Sequence, residues 1–133
     1  MLRLHEYRYL RPGRLAEALD LLHGSHDAMP IAGGTDLMPN MKHRLWTPRV
    51  LVGLKGIAEL SGIRLVDAEG RPVEREGEAS ALCIGATETL AGVARHPLVR
   101  RLFPSLARAA GLVAGPQLRN QGTIGGNLCL DTR

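Results

Sequence analysis

Two short stretches of this 133-residue chain combine paired glycines with polar side chains: Gly33-Gly34-Thr35, and Gly122-Thr123-Ile124-Gly125-Gly126-Asn127 far downstream. Glycine carries no Cβ and tolerates positive φ, so successive backbone N–H groups can converge on an anion. Thr35 and Thr123 would add hydroxyl donors and Asn127 a carboxamide. Facing one another, two such kits would clamp a doubly charged diphosphate from both sides. Taken singly, each glycine pair reads first as a turn between elements. Neither stretch has the GxGxxG or GxxxxGK[ST] spacing of the dinucleotide and P-loop fingerprints. The residues alone therefore define a candidate phosphate binder.

Other chemistry finds little support. His5, His23, His26, His43 and His96 are scattered, with no carboxylate at a spacing that suggests a general base. Cys83 sits in the apolar run Ala81-Leu82-Cys83-Ile84, where it reads as a small buried hydrophobe, and Cys129 has no CxxC partner. No catalytic residue and no metal ligand is nominated. The net charge of +4 raises nucleic-acid binding, but Arg95, Arg100, Arg101 and Arg108 are broken up by Pro97 and Pro104. One Phe, one Trp and two Tyr leave little to stack on bases. No apolar run approaches the roughly 20 residues of a membrane span. The N-terminus lacks the continuous apolar stretch of a secretion signal, so a cytoplasmic protein without membrane or nucleic-acid partners is expected.

The elements that must position the glycines follow from periodicity. Leu15, Ala18, Leu19 and Leu22 fall on one face of a helix ending at His23-Gly24. A buried strand from Ala28 to Ala32 opens into the Gly33-Gly34-Thr35-Asp36 turn, and a short helix follows from Leu37, limited by Pro39 and Pro48. Val50 to Leu54, Ile63 to Val66 and Ala81 to Ile84 read as strands, with Asp67 to Ser80 as a solvent-exposed hairpin tip. Gly85-Ala86-Thr87 leads into a helix around Leu90, Val93 and Ala94, capped by Thr87 or Thr89 and closed by Pro97. Pro104 starts another, with Leu106, Ala109, Ala110, Val113 and Ala114 supplying its apolar face before Gly115-Pro116. The segment Gln117 to Asn127 reads as a polar, glycine-dense loop.

Ile31-Ala32-Gly33-Gly34-Thr35-Asp36-Leu37-Met38-Pro39 and Arg119-Asn120-Gln121-Gly122-Thr123-Ile124-Gly125-Gly126-Asn127-Leu128 together resemble the FAD-binding subunit or domain of the molybdenum hydroxylase family, which includes xanthine dehydrogenase and the medium subunit of carbon monoxide dehydrogenase. The likeness covers essentially the whole chain. It implies an α+β fold, the N-terminal part of a PCMH-type (vanillyl-alcohol-oxidase-like) FAD-binding domain. A small βαβ-type subdomain would span about 1–55 and the start of a second about 56–133. Ala32, Gly33, Gly34, Thr35 and Asp36 would form one diphosphate loop, and Thr123, Ile124, Gly125, Gly126 and Asn127 the other. Val113 falls near a position where the family touches the cofactor with an apolar side chain; core packing is the competing reading. Asp36 would be repelled by a diphosphate, so it is expected to organise the loop by capping its amides.

The resemblance further implies an electron-transfer subunit relaying electrons between FAD and iron–sulfur clusters. Its partners would be a molybdopterin-binding large subunit, where the substrate chemistry takes place, and an iron–sulfur small subunit. Residues 33–40 and 126–133 look most like the flavin subunit of 4-hydroxybenzoyl-CoA reductase. The cluster cysteines of that subunit would begin past Arg133, and the family's subdomain that covers much of the isoalloxazine is not within these residues, so the chain reads as part of a longer subunit. The alternatives are another PCMH-type flavoprotein and a flavin-free structural module keeping half of the fold.

Overall fold

The computed structural model describes residues 3–130. Strands β1 (Arg8–Leu10), β2 (Ala28–Ile31) and β3 (Val50–Gly53) form a parallel sheet in the order β1-β3-β2. Both Arg8 and Ala28 lie opposite Val50, and Ile31 lies opposite Gly53. The central strand is the most apolar, with Leu51 and Val52 fully buried. Pro30 is tolerated in β2 because that strand is at an edge and need not donate on its outer side. β1 has no counterpart among the strands expected from periodicity. Two of its three residues are exposed, so it carries no alternating apolar signal.

Helix α1 (Leu15–His23) connects β1 to β2 and seals one face of this sheet. Ala18 meets Val52 and Ile57 at the core, with Leu15, Leu21 and Leu22 around it. Leu19, expected inside, is half exposed. The helix turns its small Ala18 side chain to the sheet, and Leu21, not Leu19, packs against that core. Arg14 offers no cap to α1; instead the Glu59 carboxylate accepts from the Leu15 amide at 3.2 Å and Glu17 accepts from that of Gly13 at 3.0 Å. Helix α2 (Leu37–Lys42) follows the first glycine turn, anchored by the fully buried Met41.

β4 (Ile63–Val66) and β5 (Ala81–Ile84) form an antiparallel pair, Ile63 opposite Ile84 and Val66 opposite Ala81. The intervening excursion is folded on Asp67, whose carboxylate accepts from the amides of Glu69 and Arg71 and pairs with the Arg71 guanidinium. Helices α3 (Leu90–Arg95), α4 (Pro97–Leu102) and α5 (Pro104–Leu112) surround a second core of Leu90, Val93, Val99, Ala107 and Ala110. Leu90, Val93 and Val99 each contribute on the order of 1.5–3 kcal/mol by leaving water, and the two alanines about 0.8 kcal/mol each.

Pro97 does end α3, and it also opens α4. Pro104 and Pro116 take the same first-turn position in α5 and α6 (Pro116–Gln121). Proline has no N–H to lose there and its φ suits a helix start. α5 stops at Leu112, short of the expected Ala114, which has a left-handed φ of 48°. The Arg119 guanidinium holds this corner by donating to the Val113 and Ala114 carbonyls.

Candidate functional site: the glycine turn and the strip it rests on

Gly33 comes from the C-terminal end of the parallel sheet and packs directly on the downstream glycine segment. A Cβ built on Gly33 would lie 2.7 Å from the Gln121 carbonyl carbon and 2.9 Å from Gly122 Cα. Gly122 reciprocates: a Cβ there would lie 3.3 Å from Thr35 Oγ1. The two stretches singled out by composition are therefore in backbone contact, which spacing alone could not reveal. Gly34 has a φ of 69°, the left-handed conformation the turn requires.

The amides of Gly33, Gly34, Thr35 and Asp36 have no acceptor among the described residues, while the Gly34 and Asp36 carbonyls accept from Met38 and Asn40 as α2 begins. Four consecutive N–H groups thus remain available in a turn next to the half-buried Thr35. Asp36 does not cap them. Its carboxylate accepts from Asn40 Nδ2 at 3.0 Å, one helical turn onward, and makes no cap bond. The expected organiser role is corrected accordingly: Asp36 braces the start of α2, and the amides stay open.

The second stretch departs from the loop expected for it. Residues from Pro116 form α6, and Ile124–Leu128 form α7, with Thr123 as N-cap. Every amide from Ile124 to Asn127 is already engaged: Ile124 with the Glu88 carbonyl at 2.8 Å, Gly125 with that of Ala86 at 2.9 Å, Gly126 with Thr123 Oγ1 at 3.1 Å and Asn127 with the Thr123 carbonyl at 2.9 Å. The segment is a docked helical turn and does not form a nest of free donors. It can still present the Asn127 carboxamide and the exposed surface of Gly126, where no side chain intervenes.

The Gly85-Ala86-Thr87 turn is the partner of this strip. Leu90 N bonds to the Gly122 carbonyl at 2.9 Å, and Thr89 lies opposite Thr123, each threonine capping its own helix. Thr87, the other capping candidate, is buried and donates its hydroxyl to the Leu60 carbonyl at 2.7 Å. Gly125 sits so close to Ala86 that a Cβ would come within 2.7 Å of the Ala86 carbonyl. Sequence reasoning named both segments and Thr89 as a cap, but missed their docking and the helix that Thr123 caps. The available signal was that Thr89 and Thr123 each stand three residues before a glycine whose amide they accept from.

Val113 is half buried against the second core, and its carbonyl is held by Arg119. His5 Nε2 lies 2.6 Å from the Pro48 carbonyl, tying the N-terminal segment to the chain before β3. Among the described residues no group of three or more His, Cys, Asp or Glu is placed to hold a metal. No helix among them is long and apolar enough to cross a membrane.

A parallel sheet ending in a glycine turn of unengaged amides, interlocked with a second glycine segment, is a frame chemically suited to an anionic group. The chain belongs to the family described as FAD binding domain in molybdopterin dehydrogenase, which it matches over residues 5–133. It is 37% identical to the nicotinate dehydrogenase FAD-subunit of Eubacterium barkeri, over 94% of this chain and 39% of that one. It is 40% identical to the carbon monoxide dehydrogenase medium chain of Hydrogenophaga pseudoflava, over 92% and 39% respectively. The solved carbon monoxide dehydrogenase of Hydrogenophaga pseudoflava, in the form lacking the Mo-pyranopterin moiety, superposes with a TM-score of 0.83 at 37% identity, over 95% of this chain and 40% of that one. The mixed helix and strand fold is therefore that of the family's FAD-binding domain, and its cofactor is FAD. The chain spans about two fifths of the length of the curated relatives it matches.

Proposed function

We propose that residues 32–36 and 123–127 hold the diphosphate of FAD, in the N-terminal part of an electron-transfer subunit. The carrying observation is the turn of four unengaged amides, Gly33 to Asp36, seated on Gln121 and Gly122. Unengaged N–H groups, with no side chain barring approach at the glycines, fit an anionic group. The amides and the Thr35 hydroxyl would donate to one side of the diphosphate and the Asn127 carboxamide to the other. Thr123, Ile124 and Gly125 act indirectly: Ile124 and Gly125 donate to the Glu88 and Ala86 carbonyls, and Thr123 accepts from Gly126 and Asn127, which together hold the strip in place. When bound, FAD supplies the redox chemistry, and the protein binds and orients it.

In this reading residues 1–55 and 56–133 are the two parts of the domain brought together by that contact. The whole subunit passes electrons between FAD and iron–sulfur clusters of a small subunit, while a molybdopterin-binding large subunit transforms the substrate, all in the cytoplasm. Membership in the FAD-binding family over residues 5–133 supports this over a flavin-free module. The 4-hydroxybenzoyl-CoA reductase arrangement, with electrons entering at FAD, rests on the likeness of residues 33–40 and 126–133. Of these, 131–133 lie outside the described residues.

The test is the visible spectrum of the protein, expressed with whatever coding sequence lies beyond Arg133 and with its partner subunits, the flavin being identified by chromatography after denaturation. One FAD per subunit is expected. A folded complex that takes up no flavin even from added FAD would leave the structural module as the reading.

A further inference from the structure

Tyr9 is half exposed on the edge strand β1, and its phenol reaches over the last residue of the central strand. Tyr9 lies opposite Leu51 in the register, so its side chain shares a face with Leu51 and leans toward Gly53, two residues further on. A Cβ at Gly53 would lie 2.7 Å from Tyr9 Cζ and closer still to the hydroxyl oxygen, so only glycine at 53 leaves room for this phenol. Gly53 in turn lies opposite Ile31, the residue before the Ala32–Asp36 turn, and the Ile31 carbonyl accepts from Leu54 at 2.9 Å. The hydroxyl therefore sits at the C-terminal edge of the parallel sheet, beside the strand that delivers the open amides. Such edges are where open parallel sheets receive ligands. The hydroxyl has no hydrogen-bond partner among the described residues.

An aromatic ring with one wet polar end suits a site that is apolar beneath and charged above. We infer that Tyr9 is a further ligand-binding residue, its phenolic hydroxyl donating a hydrogen bond to the diphosphate held by the amides of Gly33 to Asp36. This rests on the FAD reading of that turn and adds to it a donor from a different strand. It also gives Gly53 a function, as the space that lets the phenol lie down toward the turn.

The test uses the full subunit in its complex, stripped of flavin, with FAD affinity measured by titration and ADP affinity by competition. Tyr9→Phe keeps the ring over Gly53 and removes only the hydroxyl. Loss of a hydrogen bond to a charged group is expected to weaken FAD and ADP by the same factor, about tenfold, with the melting temperature of the flavin-free protein unchanged. Thr35→Val is measured in parallel. If it weakens FAD while Tyr9→Phe leaves both ligands unaffected, the inference about Tyr9 is overturned and the turn reading stands. If neither variant changes affinity, the turn reading fails as well. Weakening of FAD alone removes the diphosphate assignment. A lowered melting temperature without flavin assigns the hydroxyl to the fold and overturns its binding role.

Discussion

Gly33 and Gln121 meet backbone to backbone, with the Gly33 Cα so close that a Cβ would come within 2.7 Å of the Gln121 carbonyl carbon. This contact joins the parallel-sheet part of the chain to the helical part at the point where both present their glycines. It assigns two neighbouring glycines different tasks: Gly33 permits close packing, and Gly34 permits a left-handed turn.

Gly33→Ala is accordingly expected to cost more than Gly34→Ala. The first forces backbone apart, an overpacking cost on the order of 3 kcal/mol. The second places a Cβ 3.2 Å from the movable Ile31 Cδ1 and Met38 Cγ and incurs mainly left-handed strain of about 1–2 kcal/mol. Denaturant melts of the two variants without flavin rank them; equal losses would mean that the interlock does not hold the domain together.

The adjacent glycines of α7 separate in the same way. Gly125→Ala pushes a Cβ to 2.7 Å from the Ala86 carbonyl, whereas at Gly126 the nearest atom is the cap oxygen Thr123 Oγ1 at 3.0 Å. Gly125→Ala should lower both stability and FAD content, and Gly126→Ala should leave the fold within about 1 kcal/mol of wild type. Thermal unfolding with flavin quantified on the same samples checks this.

Thr35→Val replaces a hydroxyl with a methyl of similar volume beside the open amides. About a tenfold weaker FAD is expected from one lost hydrogen bond to a charged group, with flavin-free stability unchanged to within about 0.5 kcal/mol. Titration of flavin-stripped protein measures the first and thermal unfolding the second; a stability loss without an affinity loss would make Thr35 a packing residue.

Asp67 provides a pH signature away from the site. Its carboxyl lies below the usual aspartate value, chiefly through the Arg71 amide, against a smaller opposing effect of desolvation and with help from the Arg71 guanidinium and the Glu69 amide. A depressed folded value means its contribution is present above the unfolded value near 3.8 and is lost as pH falls through the folded value. Carbon-detected NMR titration of Asp67 should give a midpoint below that of an unfolded peptide. In Asp67→Asn the acid-side order of the Glu69 to Arg71 turn should lose that step.

The sequence by itself determined the local parts. Apolar spacing placed α1, β2 to β5, α3 and α5, because each buries one face and needs a periodic row to do so. The glycine pairs also marked where a chain could bring bare backbone to an anion, and the motifs around them resembled the right family. Tertiary structure decided what those glycines do. The second stretch has its amides consumed by Ala86, Glu88 and Thr123, and two of those four acceptors are carbonyls of another segment, invisible to composition. β1 and α4 escaped because an exposed edge strand and a helix opened by proline carry no strong period of their own. The amides at Gly33 to Asp36 have no acceptor while the Asp36 carboxylate accepts from Asn40 one helical turn on, a pairing set by the backbone path into α2 that residue type alone does not give.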